Sequence, residues 1–260
     1  MNNRDEDLRR IPRVSVIMPA YNAERFIEEA IGSVIRQTFQ DWELLVIDDG
    51  STDATVAVVE KLARTDSRIT LLRNEVNMGV AKTRNRGLDL CRGRFAALLD
   101  SDDIWHPQKL ERQLQLAEDT GADVIYCSYG IMDAQGNKAR ADYVVPGQTD
   151  FEGLLRENVI GCSTVMLAEK IAKQYRFGTG FQHEDYVLWL ELLRSGYKAA
   201  GCTEVLVKWR YIVNSRSFNK RKSAQDRWRI YRKYLKLPLL KSLQMFGSYA
   251  ASSLKKYRRQ

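Results

Sequence analysis

Three carboxylates fall within four consecutive positions in Asp100-Ser101-Asp102-Asp103, directly after the apolar run FAALL. Carboxylates this close repel one another unless a cation neutralises them. Their hard oxygens suit Mg2+ or Mn2+, and such a cation, held by one or two carboxylates, completes its shell with substrate phosphates. A nucleotide diphosphate in a strand-end crevice meets that requirement. The alternative is a solvated acidic turn in which Asp103 caps the next helix. A second acidic pair, Asp48-Asp49, opens DDGSTD. A carboxylate there can accept the imide N–H of a uracil base or hold a ribose hydroxyl. Gly50 allows the tight turn, and Ser51 or Thr52 can cap the following helix. Tyr21, in PAYN, can stack on a planar base. A third pair, Glu184-Asp185, begins an apolar stretch. A partly desolvated carboxylate can take the proton of an attacking hydroxyl, or the pair can merely favour the positive end of a helix.

The elements that must position these groups follow from hydrophobic periodicity. Short apolar runs at Val14–Met18, Glu43–Ile47, Ile69–Leu72, Phe95–Leu99 and Asp123–Ser128 read as strands. Between them, helical spacing covers Phe26–Ile35, with Asn22 as its cap, then Thr55–Arg64 and Val80–Cys91. Pro107 opens a helix carrying Leu110, Leu114 and Ala117. A turn at Asp133–Asn137, a return strand near Ser163–Leu167, a helix over Glu184–Arg194 and a last strand over Val205–Tyr211 complete the body. Alternating strands and helices predict an α/β fold, a mainly parallel sheet with helices on both faces. In such sheets ligands bind beyond the carboxyl ends of the strands. PAYN, DDGSTD and DSDD all fall there. No GxGxxG and no GxxxxGK[ST] is present, which argues against a dinucleotide-binding oxidoreductase and a P-loop NTPase.

With these clusters in this order, the sequence resembles the large family 2 of inverting glycosyltransferases, which have the GT-A fold, Rossmann-like in its sheet and helices. The matching segments are VSVIMPAYNAERFIEEAIGSVIRQTFQDWELLVIDDGSTD, NMGVAKTRNRGLDLCRGRFAALLDSDDIWHPQKL and HEDYVLWLELLRSGYK, most of residues 14–198. The resemblance implies transfer of a sugar from a nucleotide-diphosphate donor, UDP-linked by preference, in bacterial surface-polysaccharide synthesis. It sets Pro19, Ala20, Tyr21, Asp48 and Asp49 around the nucleoside, with Asp100 and Ser101 also on the nucleotide. It makes Asp102, with Asp100, the ligand of Mn2+ or Mg2+. It places Arg84 where a cation approaches the diphosphate, although a surface arginine beside Lys82 and Arg86 is the plain alternative. The ED motif points to Asp185 as the base and to Glu184 as its neighbour. One departure concerns the stretch after the last strand, where many relatives carry a His. Here WRYIVNS has none, and Arg210 or Arg216 are the cations available instead. Two rival functions remain: a non-catalytic nucleotide-sugar or glycan-binding protein on the same fold, and a nucleotidyltransferase.

Charge divides the chain unevenly. Residues 207–260 hold 16 Lys/Arg and one acid, Asp226, a net of +15, whereas residues 1–206 are net −7. A boundary is therefore expected near position 222. Residues 1–222 would form the GT-A domain, with a nucleotide-sugar half about 12–130 and an acceptor half about 131–222. Residues 223–260 would form a basic amphipathic helical tail with an apolar stripe at Leu239, Leu243, Phe246, Ala250 and Leu254. Such a helix suits an anionic membrane surface and an acceptor on a polyprenyl-linked glycan, rather than nucleic acid. Truncation before Ser223 should then remove membrane binding and spare donor hydrolysis. The opening MNNRDEDLRRIPR has no apolar h-region, and no stretch reaches the roughly 18 to 20 apolar residues of a membrane span. The expected location is cytoplasmic, peripheral at the inner face of the membrane. Cys91, Cys127, Cys162 and Cys202 lack metal-site spacing and read as reduced thiols.

Overall fold

The computed structural model describes residues 11–212 and 220–258, with side chains described to residue 251 in the last helix. Residues 1–10 and Arg216 lie outside that range, so the readings placed on them have no structural counterpart. In chain order the elements are β1 (Val14–Ala20), α1 (Ile27–Ile35), β2 (Trp42–Asp48), α2 (Thr55–Thr65), β3 (Ile69–Arg73), α3 (Val80–Leu90), β4 (Phe95–Leu98), β5 (Ile104–Trp105) and α4 (Lys109–Thr120). There follow β6 (Val124–Met132), β7 (Lys138–Tyr143), β8 (Gln148–Thr149), α5 (Phe151–Arg156), a 3-10 turn (Cys162–Thr164), β9 (Met166–Ala168), α6 (Glu169–Gln174), α7 (Glu184–Arg194) and β10 (Ala199–Arg210). The chain closes with α8 (Lys220–Arg229), a π-helical turn (Ile230–Tyr234) and α9 (Leu239–Arg258).

The sheet runs β3-β2-β1-β4-β9-β6-β10-β5. Its first four strands are parallel, as the alternating pattern predicts, and β6 pairs parallel with β10. β9 inserts antiparallel between β4 and β6 and so joins the two halves. The central strands are buried on both faces. Along β1, Val14, Val16 and Met18 enter the core under α1, α2 and α4, while Ile17 enters the other core with Leu88 of α3, Leu154 of α5 and the apolar side of α7. This double burial explains why these strands read as continuous apolar runs rather than alternating ones. α3 comes very close to the sheet. A Cβ on Gly87 would stand 2.4 Å from Ile17 Cγ2, so only glycine fits there.

Two sequence expectations need correcting. Asn22 does not cap α1, which begins at Ile27. It sits at φ 48° in the left-handed region, and its Oδ1 accepts from Thr52 N at 2.9 Å. Ser51 and Thr52 likewise do not cap α2, because Ser51 Oγ accepts from Asn22 N and Asp53 bonds the backbone N–H of Thr55. Short side chains with local hydrogen-bonding power serve helix caps and loops alike, and here Asn22 and Ser51 staple two strand-end loops together.

The basic segment is packed rather than free. Ile230, Tyr231, Leu235, Leu237 and Met245 belong to the same apolar core as α7, and Tyr231 Oη donates to Leu155 O at 2.6 Å. The expected stripe on α9 turns partly outward: its Leu239 and Leu243 are 53% and 52% exposed, as is the neighbouring Leu240 at 82%, while Ser242 and Met245 face the body. The side chains of Leu254, Lys255 and Tyr257 are outside the described set. No described helix is long and apolar enough to cross a membrane.

Candidate active site

Because β2, β1 and β4 are neighbours, their carboxyl ends present Asp48–Asp49, Ala20–Tyr21 and the DSDD turn along one edge. Pro19 and Ala20 are buried as the last residues of β1, and Tyr21 beyond them is exposed. Asp49 N donates to Ala20 O at 2.8 Å, which fixes the two loops side by side. Asp48 is fully buried, with Ser51 N 3.3 Å from one oxygen and Arg73 Nε 3.8 Å away. Asp49 is engaged differently. It accepts from Asn74 Nδ2 at 2.7 Å, Met78 N at 2.9 Å and Gly79 N at 2.8 Å. Its carboxylate therefore shapes the loop entering α3, a use that the pairing of two acids does not suggest. Gly50, at φ +76°, makes the turn that lets this happen.

α3 carries Arg84 into the interior. Its Nη2 donates to Asp100 Oδ1 at 2.6 Å and its Nη1 to Glu184 Oε1 at 2.9 Å. The surface-arginine alternative is thus excluded. Burial alone would lower the Arg84 pKa, but Asp100, Cys162 and Glu184 more than offset it and hold the guanidinium well above its usual value. One cation joins the DSDD turn to the ED pair, which the sequence separates by 84 positions.

Within the turn, the three acids have different surroundings. Asp103 is buried and caps no helix. It accepts from Ser163 Oγ and, at 2.8 Å, from Arg210 N. Burial first, and then Asp102 and Asp100, push its carboxyl well above the ordinary range. Ser163 Oγ also accepts from Asp100 N at 3.1 Å. Arg210 is a clamp: Nε donates to Asp102 O at 2.8 Å, Nη2 to Glu29 at 2.6 Å, and Nη1 reaches the carbonyls of Asp133 and Ala134. With its donors engaged and its side chain buried, it is not the replacement phosphate contact considered from sequence. Asp102 is half-buried. Its carboxyl is pushed up to about 6, by burial first and then by Asp100. Among the described residues no side chain donates a hydrogen bond to it. Ser101 is half-buried beside it.

Among the described residues no three His, Cys, Asp or Glu side chains converge as a closed metal cage. Two neighbouring acids, one of them with no side chain donating to it among the described residues, instead fit a hard cation that takes its remaining ligands from a diphosphate and water.

The ED pair opens α7. Glu184 is buried against Arg84, and Asp185 is half-buried, accepting from Tyr186 N at 2.8 Å. Burial, followed by Glu184, raises the Asp185 carboxyl above its normal value, while His183 and Arg84 pull it down. Burial lowers the imidazole of His183, which precedes the pair. A cavity of about 730 Å³ lies alongside. Gly79–Ala81, Gly178–Gln182 and Glu184 line it, and so do Lys222, Asp226 and Arg229 of α8. Sequence reasoning missed Ser163 and Asp226 as parts of this site, and considered Arg210 only for a phosphate contact. Asp226 carried a signal, as the lone acid in a strongly basic stretch.

A crevice of acids at the carboxyl edge of a mostly parallel sheet, with an acidic pair one guanidinium away, defines a glycosyltransferase of the GT-A class. Residues 15–176 match Glycosyl transferase family 2, and the chain belongs to that family. It is 38% identical over 246 residues to the Escherichia coli UDP-Glc:alpha-D-GlcNAc-diphosphoundecaprenol beta-1,3-glucosyltransferase WfgD, covering 94% of each chain. It is 35% identical to TuaG of Bacillus subtilis (strain 168), named as a teichuronic acid biosynthesis glycosyltransferase, over 94% of this chain and 97% of that one. The fold is shared with S. aureus TarS 1-349, whose crystal structure is in complex with UDP-GlcNAc. That match has a TM-score of 0.72 at 20% identity, covering 92% of this chain and 71% of the other.

Proposed function

We propose that this enzyme transfers a sugar from a UDP-sugar to a hydroxyl of a polyprenyl-diphosphate-linked glycan, with inversion, in cell-surface polysaccharide synthesis. The observation that carries the reading is the Arg84 bridge, which brings the DSDD acids and the ED pair within the span of one side chain. The relative named for UDP-glucose and GlcNAc-diphosphoundecaprenol supports the donor and acceptor classes.

In this reading Tyr21 stacks on the uracil, and Asp48, with the Pro19–Ala20 backbone and the loop that Asp49 shapes, encloses the nucleoside. Asp102, with Asp100, holds Mg2+ or Mn2+, and Ser101 lies against the diphosphate. The cation supplies charge neutralisation for the departing diphosphate. Arg84 fixes the position of Asp100 and Glu184 and adds positive charge nearby. Asp185 takes the proton of the acceptor hydroxyl as that oxygen attacks the anomeric carbon, and its raised pKa makes it a better proton acceptor than an ordinary carboxylate. Glu184, anchored by Arg84, keeps the start of α7 in register with the DSDD turn.

We also propose that the outer face of α9 rests on the inner face of the cytoplasmic membrane. Leu239, Leu240 and Leu243 are exposed, and Lys233 and Lys236 are exposed beside them. Apolar insertion flanked by cations suits anionic headgroups. Replacing the three leucines with Ser should sharply reduce co-sedimentation with phosphatidylglycerol vesicles while the folded protein persists. Unchanged binding would remove this part of the reading.

The central test is nucleoside-diphosphate release from UDP-glucose, UDP-GlcNAc, UDP-galactose and GDP-mannose, with GlcNAc-diphosphoundecaprenol as acceptor, with and without Mn2+. Release of UDP that depends on acceptor and metal, and is abolished in Asp185→Asn, is the expected outcome. Release of pyrophosphate would mark a nucleotidyltransferase, and binding without turnover of any donor would mark a binding protein.

A further inference from the structure

The helix that delivers Glu184 and Asp185 lacks a cap of its own. His183 occupies the capping position of α7, and its side chain makes no capping hydrogen bond. The chain entering α7 is instead held from a distance by α8. Asp226 Oδ2 accepts from Gln182 N at 2.8 Å and from His183 N at 3.2 Å. Arg229 donates to Gly180 O and, at 3.0 Å, to the other oxygen of Asp226. Ser223 Oγ lies 3.3 Å from Gln182 Nε2, and the guanidinium of Arg227 stacks over the Tyr186 ring, its central carbon 3.6 Å from the centroid. Three of these contacts grip backbone atoms of residues 180–183, so they fix where the chain runs. Asp226 is also buried, in a stretch where every other charged residue is basic. A carboxylate at the positive end of a helix is favourable, and here it stands immediately before the two residues of the ED pair.

We propose that Asp226 is a positioning residue for transfer: from α8 it supplies the missing cap of α7 and so sets the placement of Asp185. The basic segment is then part of the active site as well as its neighbour. This inference rests on Asp185 being the base. A displacement of about 1 Å in such a group reduces turnover steeply, whereas the donor is held mainly by other residues.

The test compares Asp226→Ala, Asp226→Asn and Met245→Ala in the full chain, using UDP-glucose and GlcNAc-diphosphoundecaprenol. Met245→Ala removes buried apolar contacts from the same packed segment, on α9, which packs against α5, α8 and the π-helical turn. Asp226→Ala should lower kcat by about tenfold or more with little change in the KM for donor. Asp226→Asn, which keeps one acceptor oxygen, should recover part of the loss. Met245→Ala, at comparable loss of thermal stability, should keep its kcat. Equal loss in Asp226→Ala and Met245→Ala, or an unchanged kcat in Asp226→Ala, would overturn the proposal. If Asp185→Asn itself remains active, the base assignment fails instead, and the two failures are told apart by that variant.

Discussion

Arg84 faces two acids from two distant segments, and no other cation can take its place unchanged. A lysine would keep the charge but offers no planar fork to serve Asp100 and Glu184 together. Arg84→Lys should therefore reduce transfer by at least about tenfold, read as nucleoside-diphosphate release at saturating donor. Asp185 makes a prediction about pH. A base works only when ionised, so kcat/KM is retained above its pKa and lost as pH falls through it. Burial and Glu184 place that acid limb above the ordinary carboxylate value. Glu184→Gln should move the limb to lower pH, and a limb that stays in place would remove Asp185 from the role. The same shift has a cost in stability. A carboxyl whose folded pKa is raised favours the folded state at low pH, and that contribution fades as pH climbs through the folded value. Asp185→Asn should accordingly raise Tm at neutral pH, each kcal/mol released being worth about 2–4 °C. The residue types of this site were legible because strand ends concentrate polar groups. The pairings were not, since no periodicity connects Arg84 to Glu184 or Arg210 to the Asp102 carbonyl.

At the scale of elements, two devices hold the edge in shape. The first is the close approach of α3 to β1 at Gly87. An alanine there would drive a Cβ into Ile17. Gly87→Ala should cost about 1–3 kcal/mol, measured by denaturant unfolding, and should lower activity further by moving Arg84. The second is the Asp103 latch, which ties the DSDD turn to the 3-10 turn at Ser163 and to the end of β10. Asp103→Ala strands two buried partners and should destabilise the fold by about 2 kcal/mol or more, seen in the same assay. The main strands and helices of the first half came through from sequence with small errors. Elsewhere β5, β7, β8, α5 and α6 went unread, and Ser163–Thr164 of the expected return strand form a 3-10 turn. β6 also runs on to Met132 and β10 begins at Ala199, where pairing between the two extends both strands past their apolar runs. Local sequence carries no record of a partner strand.

For the whole molecule, the abrupt change of charge near position 207 suggested a separable appendage. Charge marks a surface, however, and the interior of the same segment is apolar: Ile230, Tyr231, Leu235 and Leu237 pack against the body. Truncation before Ser223 should therefore not spare donor hydrolysis. It uncovers the core beside α7 and should lower Tm by many degrees and abolish turnover, measured by calorimetry and product release. A truncated chain with full activity would contradict this packing.

The clamp that α8 places on residues 180–183 has a consequence for synthesis. A ribosome delivers the whole sheet, both acidic clusters and the ED pair before it delivers Asp226. A nascent chain can thus close its sheet while the approach to α7 is still unheld. The placement of the ED pair is therefore completed only after α8 has been made and has docked, later than the closure of the sheet.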